Sequence, residues 1–333
     1  MLQVNNVFFA YGENPILKDI SFQLPNGSHL ALIGESGSGK STLLKAIYGK
    51  LKLGQGEVSW NNQKVLGPDF NLIPGENYMK YVSQDLDLMP FTTVSENIGE
   101  HLSVFEPETH QARIQELLEV IQLEDYAHVK VKNLSGGQQQ RVAIAKALAQ
   151  EPKILLLDEP FSSIDQFKKN GLKQLLFPYL KEKGITVINA THDPDDILPF
   201  SWLTLVLKDG EILDFGPTKN VYNHPKNLYA ASLFGEANTI PLYFLNPGYY
   251  IDRPIIVYPH ELSVTQNSDF MVTVEESFFK GSHFLVKAFH ETNLMVWFIH
   301  SRSIIPGTKV ALKGTAKTLL ERISKTHAKD YHS

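Results

Sequence analysis

The amino-acid sequence predicts an α/β domain over residues 1–234, built on a largely parallel central sheet, followed by a small all-β domain over residues 235–333. Three observations carry this. Short apolar runs alternate with amphipathic stretches through the first domain. A glycine-rich loop at residues 34–41 joins one such run to an amphipathic stretch. From about Gly235 onward, β-branched and aromatic residues replace helical periodicity. With 333 residues the chain has room for about two domains of ~100–200 residues each.

In the first domain, residues 30–33, 154–157, 186–190 and 203–207 read as buried strands. Residues 40–48 and 112–121 carry helical patterns between them. Residues 203–207 and 211–215 form a hairpin pattern around Lys208-Asp209-Gly210, because Asp-Gly favours the tight turn between strands. In the second domain, strands are expected at residues 270–274, 284–289, 294–299 and 310–312. Gly281-Ser282 and Pro306-Gly307 supply turns, and helical periodicity returns only at residues 315–323. This is the pattern of a barrel or sandwich. The boundary is expected within residues 234–247, and the polar residues 325–333 are expected to fray.

Composition excludes several functions. Hydrophobic residues make up 43% and charged residues 20%, as in ordinary globular proteins. There is no cysteine, which rules out disulfides, thiolate zinc sites and cysteine nucleophiles. The N-terminus does not read as a signal peptide. No apolar run approaches the ~18 residues of a membrane span, so any role at a membrane is expected to come through a partner. The net charge is −5 and no dense Lys/Arg block suggests nucleic acid as a partner. The nearest candidate, Lys168-Lys169, reads as a solvated helix face.

Gly34-Glu35-Ser36-Gly37-Ser38-Gly39-Lys40-Ser41, followed by Thr42, fits G-x-x-x-x-G-K-[ST] between a strand and a helix. Its glycines let successive N–H groups converge on one anion, and the helix that follows adds unpaired N–H groups and the positive end of its dipole. Lys40 adds a charge for the β and γ phosphates, and Ser41 a hydroxyl for Mg²⁺. Asp158, ending the strand 154–157, is suited to hold Mg²⁺, and Glu159 to polarise an attacking water. Leu134-Ser135-Gly136-Gly137-Gln138-Gln139-Gln140-Arg141 precedes a helix at residues 142–148. This second glycine turn can hold an anion, Ser135 can cap the helix, and both readings can hold together.

These motifs in this order resemble the nucleotide-binding subunits of ABC transporters over residues 2–238. The fold implied is a P-loop NTPase with a helical subdomain at about residues 85–131. Tyr81-Val82-Ser83-Gln84 resembles the family's Q-loop, Ser163-Ile164-Asp165 its D-loop, and Ala190-Thr191-His192-Asp193 its switch-histidine segment. The resemblance implies ATP and Mg²⁺ as cofactors, with Ser41, Gln84 and Asp158 at the metal. Glu159 is implied as general base and His192 as a γ-phosphate ligand that orients the water. Tyr11 is implied as the aromatic that stacks on adenine. Two copies would pair head to tail, Lys40 and Ser41 of one facing Ser135, Gly136, Gly137, Gln138 and Asp165 of the other. Taken singly, Gln84 reads as a surface polar residue, His192 as a hydrogen-bonded loop histidine and Tyr11 as core.

Further partners follow from the resemblance: transmembrane permease subunits and a periplasmic or lipoprotein substrate-binding protein. The chain would then sit at the cytoplasmic face of the inner membrane. In the helical subdomain, Leu117, Val120 and Ile121 read as core and Met89 and Phe91 as permease interface. The C-terminal domain resembles the transport-associated OB-like domain of importer ATPases, through Val257-Tyr258-Pro259-His260-Glu261-Leu262-Ser263-Val264, although Tyr258 stands where an arginine is usual. Lengthening the dimer interface and binding a regulatory ion both stay open as its role. His283, His290 and His300 read as surface or hydrogen-bonded histidines. An importer of ferric ion or a polyamine is the favoured reading. An exporter ATPase and a soluble switch on ribosome or DNA are the alternatives.

Overall fold

Successive side chains of a strand point to opposite faces of its sheet. Residues 154–158 show how the central strands use this. Leu155 and Leu157 enter one hydrophobic core and Ile154 and Leu156 another, all four fully buried. A strand buried on both faces reads as a continuous apolar run, which makes this segment legible from sequence. The computed structural model of the protein describes residues 1–103, 105–245, 254–315, 317 and 319–322. The expected frayed tail, residues 325–333, lies outside the described residues, as do parts of the expected boundary at 234–247 and of the expected helix at 315–323.

The chain divides into two compact units, Met1–Thr218 and Lys219–Ser333, whereas the sequence reading sets the boundary between residues 234 and 235. The difference has a packing cause. Tyr222 lies flat on Tyr258 with 4.7 Å between ring centroids, and meets Phe234 edge-on at 5.4 Å.

In the first unit, β1 (Leu2–Tyr11), β2 (Asn14–Leu24) and β3 (His29–Ile33) precede α1 (Lys40–Ile47). Next come β4 (Gln55–Trp60), β5 (Gln63–Lys64) and β6 (Met79–Val82). The helices α2 (Val94–Gly99), α3 (Pro107–Ile121) and α4 (Gly136–Leu148) follow. The unit closes with β7 (Ile154–Asp158), α5 (Gln166–Glu182), β8 (Thr186–Thr191), β9 (Leu203–Lys208) and β10 (Glu211–Pro217). Strands β9-β3-β8-β7-β6 are parallel neighbours, and β10 adds antiparallel to β9. Asp209 and Gly210 both take positive φ in the β9–β10 turn, as a tight hairpin demands. A second, antiparallel sheet, β2-β1-β4-β5, is absent from the sequence reading. It packs with α1 over one face of the central sheet, and α2–α5 cover the other.

In the second unit, α6 (Thr218–Asn223) opens at the division and α7 (Leu228–Ser232) follows. Then come β11 (Asn238–Pro241), α8 (Leu242–Leu245), β12 (Pro254–Val257) and β13 (Leu262–Thr265). Strands β14 (Met271–Phe279), β15 (Phe284–His290), β16 (Met295–His300) and β17 (Lys309–Gly314) complete it. They form an antiparallel sheet, β13-β17-β14-β15-β16, beside the pair β11-β12, around Phe270, Val286 and Phe298. Tyr258 is buried, and Arg322 lies over its ring at 6.0 Å while pairing with the buried carboxylate of Glu261. A guanidinium thus reaches the Pro-His-Glu turn from Arg322, although position 258 is tyrosine.

Candidate active site

Parallel strands end together, and chemistry collects at their carboxyl ends. In register, Ile33 faces Thr191, Asp158 faces Ala190 and Val82 faces Leu157. The segments carrying Gly34, His192, Glu159 and Gln84 therefore leave one edge of one sheet.

The apolar run of β3 ends at Gly34, and the chain turns into α1 through Gly39, whose φ is 106°. A Cβ there would lie 3.2 Å from the Ile16 carbonyl oxygen and 3.3 Å from a Leu17 methyl, so glycine is required. No side chain caps α1 and no acidic residue sits in its first turn, which leaves its N–H groups for an anion. Lys40 is buried and curls back, its Nζ donating to the carbonyls of Gly34 at 2.8 Å and Glu35 at 2.9 Å. Burial pushes the Lys40 ammonium below the usual lysine range, against the opposing charges of Glu159, Asp158 and Glu35. Ser38 Oγ is buried with no hydrogen-bond partner. An uncapped helix start, a desolvated lysine and an orphaned hydroxyl suit a phosphate group. Glu35, Ser36 and Gly37 are exposed, and Thr42 is half-buried behind Ser41.

Asp158 is buried at the end of β7, and both its oxygens are used. Ser41 Oγ donates to Oδ1 at 2.9 Å and the Tyr81 hydroxyl donates to Oδ2 at 2.9 Å. Burial, then the charge of Asp158 and the bond to it, hold the Tyr81 phenol far above its usual range, so it remains a donor. Tyr81 carries no role assignable from sequence. Ser41 and Asp158 oxygens side by side are donors of the kind Mg²⁺ takes.

Glu159 has φ 50°, in the left-handed region that a glutamate rarely occupies. Its N–H donates to the Ala190 carbonyl at 2.9 Å, and its Oε1 lies 3.3 Å from His192 Nδ1. His192 and Gln84 are exposed. Tyr11 is also exposed, its ring meeting Phe9 edge-on at 4.8 Å. Ser135 to Gln138 bond within their own turn. Ser135 Oγ accepts from Gln138 N at 3.3 Å, and Gln138 Oε1 accepts from Ser135 N at 2.9 Å, a capping box at the start of α4. Asp165 starts α5 without a side-chain cap and is exposed.

Behind His192 lies a buried charge cluster that corrects the reading of Lys168-Lys169 as solvated. Lys168 is exposed, but Lys169 and Lys173, a turn apart on α5, are buried. Lys169 pairs with Asp193 and, at 3.2 Å, with Asp196. Lys173 Nζ donates to Asp196 Oδ1 at 2.8 Å and to the Asp195 carbonyl at 3.1 Å. Thr191 Oγ1 donates to Asp196 Oδ2 at 3.0 Å. Burial would lower the Lys169 ammonium, but its carboxylate partners raise it above the usual range. Burial would raise the Asp193 carboxyl, but Lys169 and the Asp195 N–H hold it below the usual range.

Leu117 and Ile121 are fully buried and Val120 packs half-buried beside them. Phe91 is 71% exposed, with Lys132 Nζ 5.2 Å from its ring centre, and Met89 is half-buried. The buried Asn97 fixes that loop, accepting from Met89 N at 2.8 Å and donating to Met89 O at 3.0 Å. Among the described residues, no helix is long and apolar enough to cross a membrane. No group of three or more His, Cys, Asp or Glu among them is arranged to hold a metal ion. His290 is buried against Thr292, His283 contacts Ser282, and His300 Nδ1 accepts from Arg302 N.

A family profile described as ABC transporter matches residues 17–162. The spermidine/putrescine import ATP-binding protein PotA of Clostridium novyi is 31% identical over 322 residues, covering 90% of this chain and 91% of its own. The Fe(3+) ions import ATP-binding protein FbpC of Pseudomonas fluorescens is 38% identical over 242 residues, covering 72% of this chain and 68% of its own. Among solved structures, the ATP-binding cassette MJ0796, as a dimer in a post-hydrolysis state with ADP and Pi, is 32% identical with a TM-score of 0.56. That likeness covers 66% of this chain and 99% of MJ0796. The cbiO1 cassette of Clostridium perfringens, part of the cbiONQ transporter complex, is 28% identical with a TM-score of 0.58, covering 70% of this chain and 94% of its own.

Proposed function

The chain belongs to the ATP-binding subunits of ABC transporters, and on that premise we propose that it hydrolyses ATP to drive an importer. The observation that carries this is the row of groups along one sheet edge: Lys40 and Ser41 from the loop, Asp158 bonded to Ser41, and Glu159 beside His192. Phosphoryl transfer asks mainly for positioning and charge stabilisation, and this row can provide both.

Residues Gly34, Glu35, Ser36, Gly37, Ser38 and Gly39 wrap the phosphates, Lys40 and Thr42 reach them, and Tyr11 stacks on adenine. Mg²⁺ held by Ser41, Asp158 and Gln84 would offset phosphate charge. Glu159 takes the proton of the attacking water, and His192 orients that water against the γ-phosphate. Ser135, Gly136, Gly137, Gln138 and Asp165 of a second copy complete the site, a reading supported by the dimeric MJ0796 relative. The chain works peripherally at the cytoplasmic face of the inner membrane. A permease grips the surface around Met89 and Phe91, and a substrate-binding protein delivers cargo from outside. The two import relatives, one matched nearly end to end, are named for spermidine/putrescine import and for Fe(3+) ion import, so the cargo is read as a polyamine or ferric ion. The β domain at residues 235–333 is the transport-associated part.

Glu159→Gln tests this. It should bind ATP normally, hydrolyse it about 10²–10⁴-fold more slowly, as expected on losing a general base, and accumulate as an ATP-bound dimer in size-exclusion chromatography. Near-normal turnover removes Glu159 as the base. A variant that stays monomeric with ATP removes the shared site.

A further inference from the structure

The first turn of α4 lies against the segment that carries Glu159. Two observations on one helix face establish the contact, since Gly137 and Gln140 are three residues apart and share that face. A Cβ at Gly137 would fall 2.8 Å from the Ser163 carbonyl oxygen and 3.2 Å from Ile164 Cα, so the helix touches the loop backbone directly. Gln140, 4% exposed, spans the same segment with both ends of its amide. Its Nε2 donates to the Glu159 carbonyl at 3.0 Å, and its Oε1 accepts from Ser163 N at 3.1 Å. The amide can face only this way, because a flip would set oxygen against oxygen and N–H against N–H. The Glu159 carbonyl also accepts from Ser162 Oγ at 3.0 Å. Gln140 therefore helps hold Glu159 at its φ of 50°.

We propose that Gln140 is a positioning residue that ties the turn closing one ATP site to the base of the other, so that the two sites hydrolyse interdependently. This rests on the reading that Ser135 and Gly137 of one copy close over ATP held by the second. When that turn engages the second copy's nucleotide, any shift of α4 passes through Gly137 and Gln140 to Ser163 and Glu159 of its own chain. Gln140 touches no part of its own phosphate loop through these bonds, so nucleotide binding in a single chain should not depend on it.

The test uses the full chain with Gln140→Met, which keeps the volume and loses both bonds, and Gln140→Glu, which keeps the acceptor for Ser163 N but turns a carboxylate toward the Glu159 carbonyl. ATP hydrolysis is measured against ATP concentration, and fluorescent-nucleotide binding in parallel. Wild type should respond with a Hill coefficient above 1. Both variants should fall to about 1, with turnover reduced about tenfold or more and nucleotide affinity within about twofold. A non-cooperative wild type, or wild-type steepness and turnover in either folded variant, overturns the proposal. If Gln140→Met does not fold, Gln140→Glu alone decides. If the Glu159→Gln dimer forms while these variants behave as wild type, only this inference fails. If that dimer does not form, the shared-site reading fails first.

Discussion

Asp196→Ala isolates the work of the buried cluster behind His192. Asp196 and Lys173 side chains are 4% and 2% exposed. Asp196 also faces Lys169 and accepts from Thr191. Removing the carboxylate leaves Lys169 with Asp193, but takes from Lys173 its ion-pair partner and leaves it the Asp195 carbonyl. Breaking a buried pair from one side costs about 3–5 kcal/mol, because the surviving charge stays desolvated. For a unit spanning Met1–Thr218, each kcal/mol moves Tm by about 2–4 °C, so the expected fall is roughly 6–20 °C. Lys173→Met is the control. It leaves Asp196 paired with Lys169 and bonded to Thr191, and should cost less than about 2 kcal/mol. Differential scanning calorimetry of the full chain reads both. Equal losses in the two variants, or a shift under about 2 °C for Asp196→Ala, would refute the view that Asp196 is the hub of the cluster.

Acid unfolding should report the same cluster. The depressed Asp193 carboxyl stabilises the fold above the ordinary carboxylate pKa, and that contribution is lost as pH falls through its lowered value. The raised Lys169 stabilises below the ordinary lysine pKa and is lost only as pH rises through its raised value. The stability advantage of wild type over Lys169→Met, from denaturant titrations, should hold from about pH 5 to 9 and narrow below about 4; an advantage that widened in acid would contradict this. Tyr81→Phe removes one bond to Asp158 and should raise the Mg²⁺ concentration for half-maximal ATPase about tenfold, leaving metal-free nucleotide binding unchanged. An unaltered Mg²⁺ requirement would dismiss Tyr81 from the site.

The central strands and the phosphate loop were legible because burial on both faces and a glycine-constrained turn leave their mark on composition. The sheet β2-β1-β4-β5 left no such mark. Register shifts between Val4 and Val7 and between Val7 and Phe9, with Asn6 at φ 47° and Asp19 at φ 54°, break the period-two alternation by which a half-buried strand is recognised. Lys169 was misread for a related reason: a lysine pair looks solvated until the aspartates that bury it arrive from the His192 loop, 24 residues away. Gln140 and Tyr81 were hidden as functional residues because each acts on a group distant in sequence, Gln140 on Glu159 and Tyr81 on Asp158. Asp158, Glu159 and His192, by contrast, stand at strand ends where sequence position alone predicts exposure to a ligand.

The capping box at the start of α4 also leaves a proton uncommitted. Ser135 Oγ receives the Gln138 N–H on a lone pair. A hydroxyl has two lone pairs and one hydrogen, so the cap occupies an acceptor and leaves the O–H free to turn toward a further acceptor. The cap thus keeps a donor in reserve at the start of the helix. Helix integrity and anion binding then depend on different features of one side chain. Ser135→Asp keeps a strong cap but exchanges the uncommitted hydrogen for negative charge. It should leave α4 as stable as before while weakening the ATP-bound dimer of the proposed shared site.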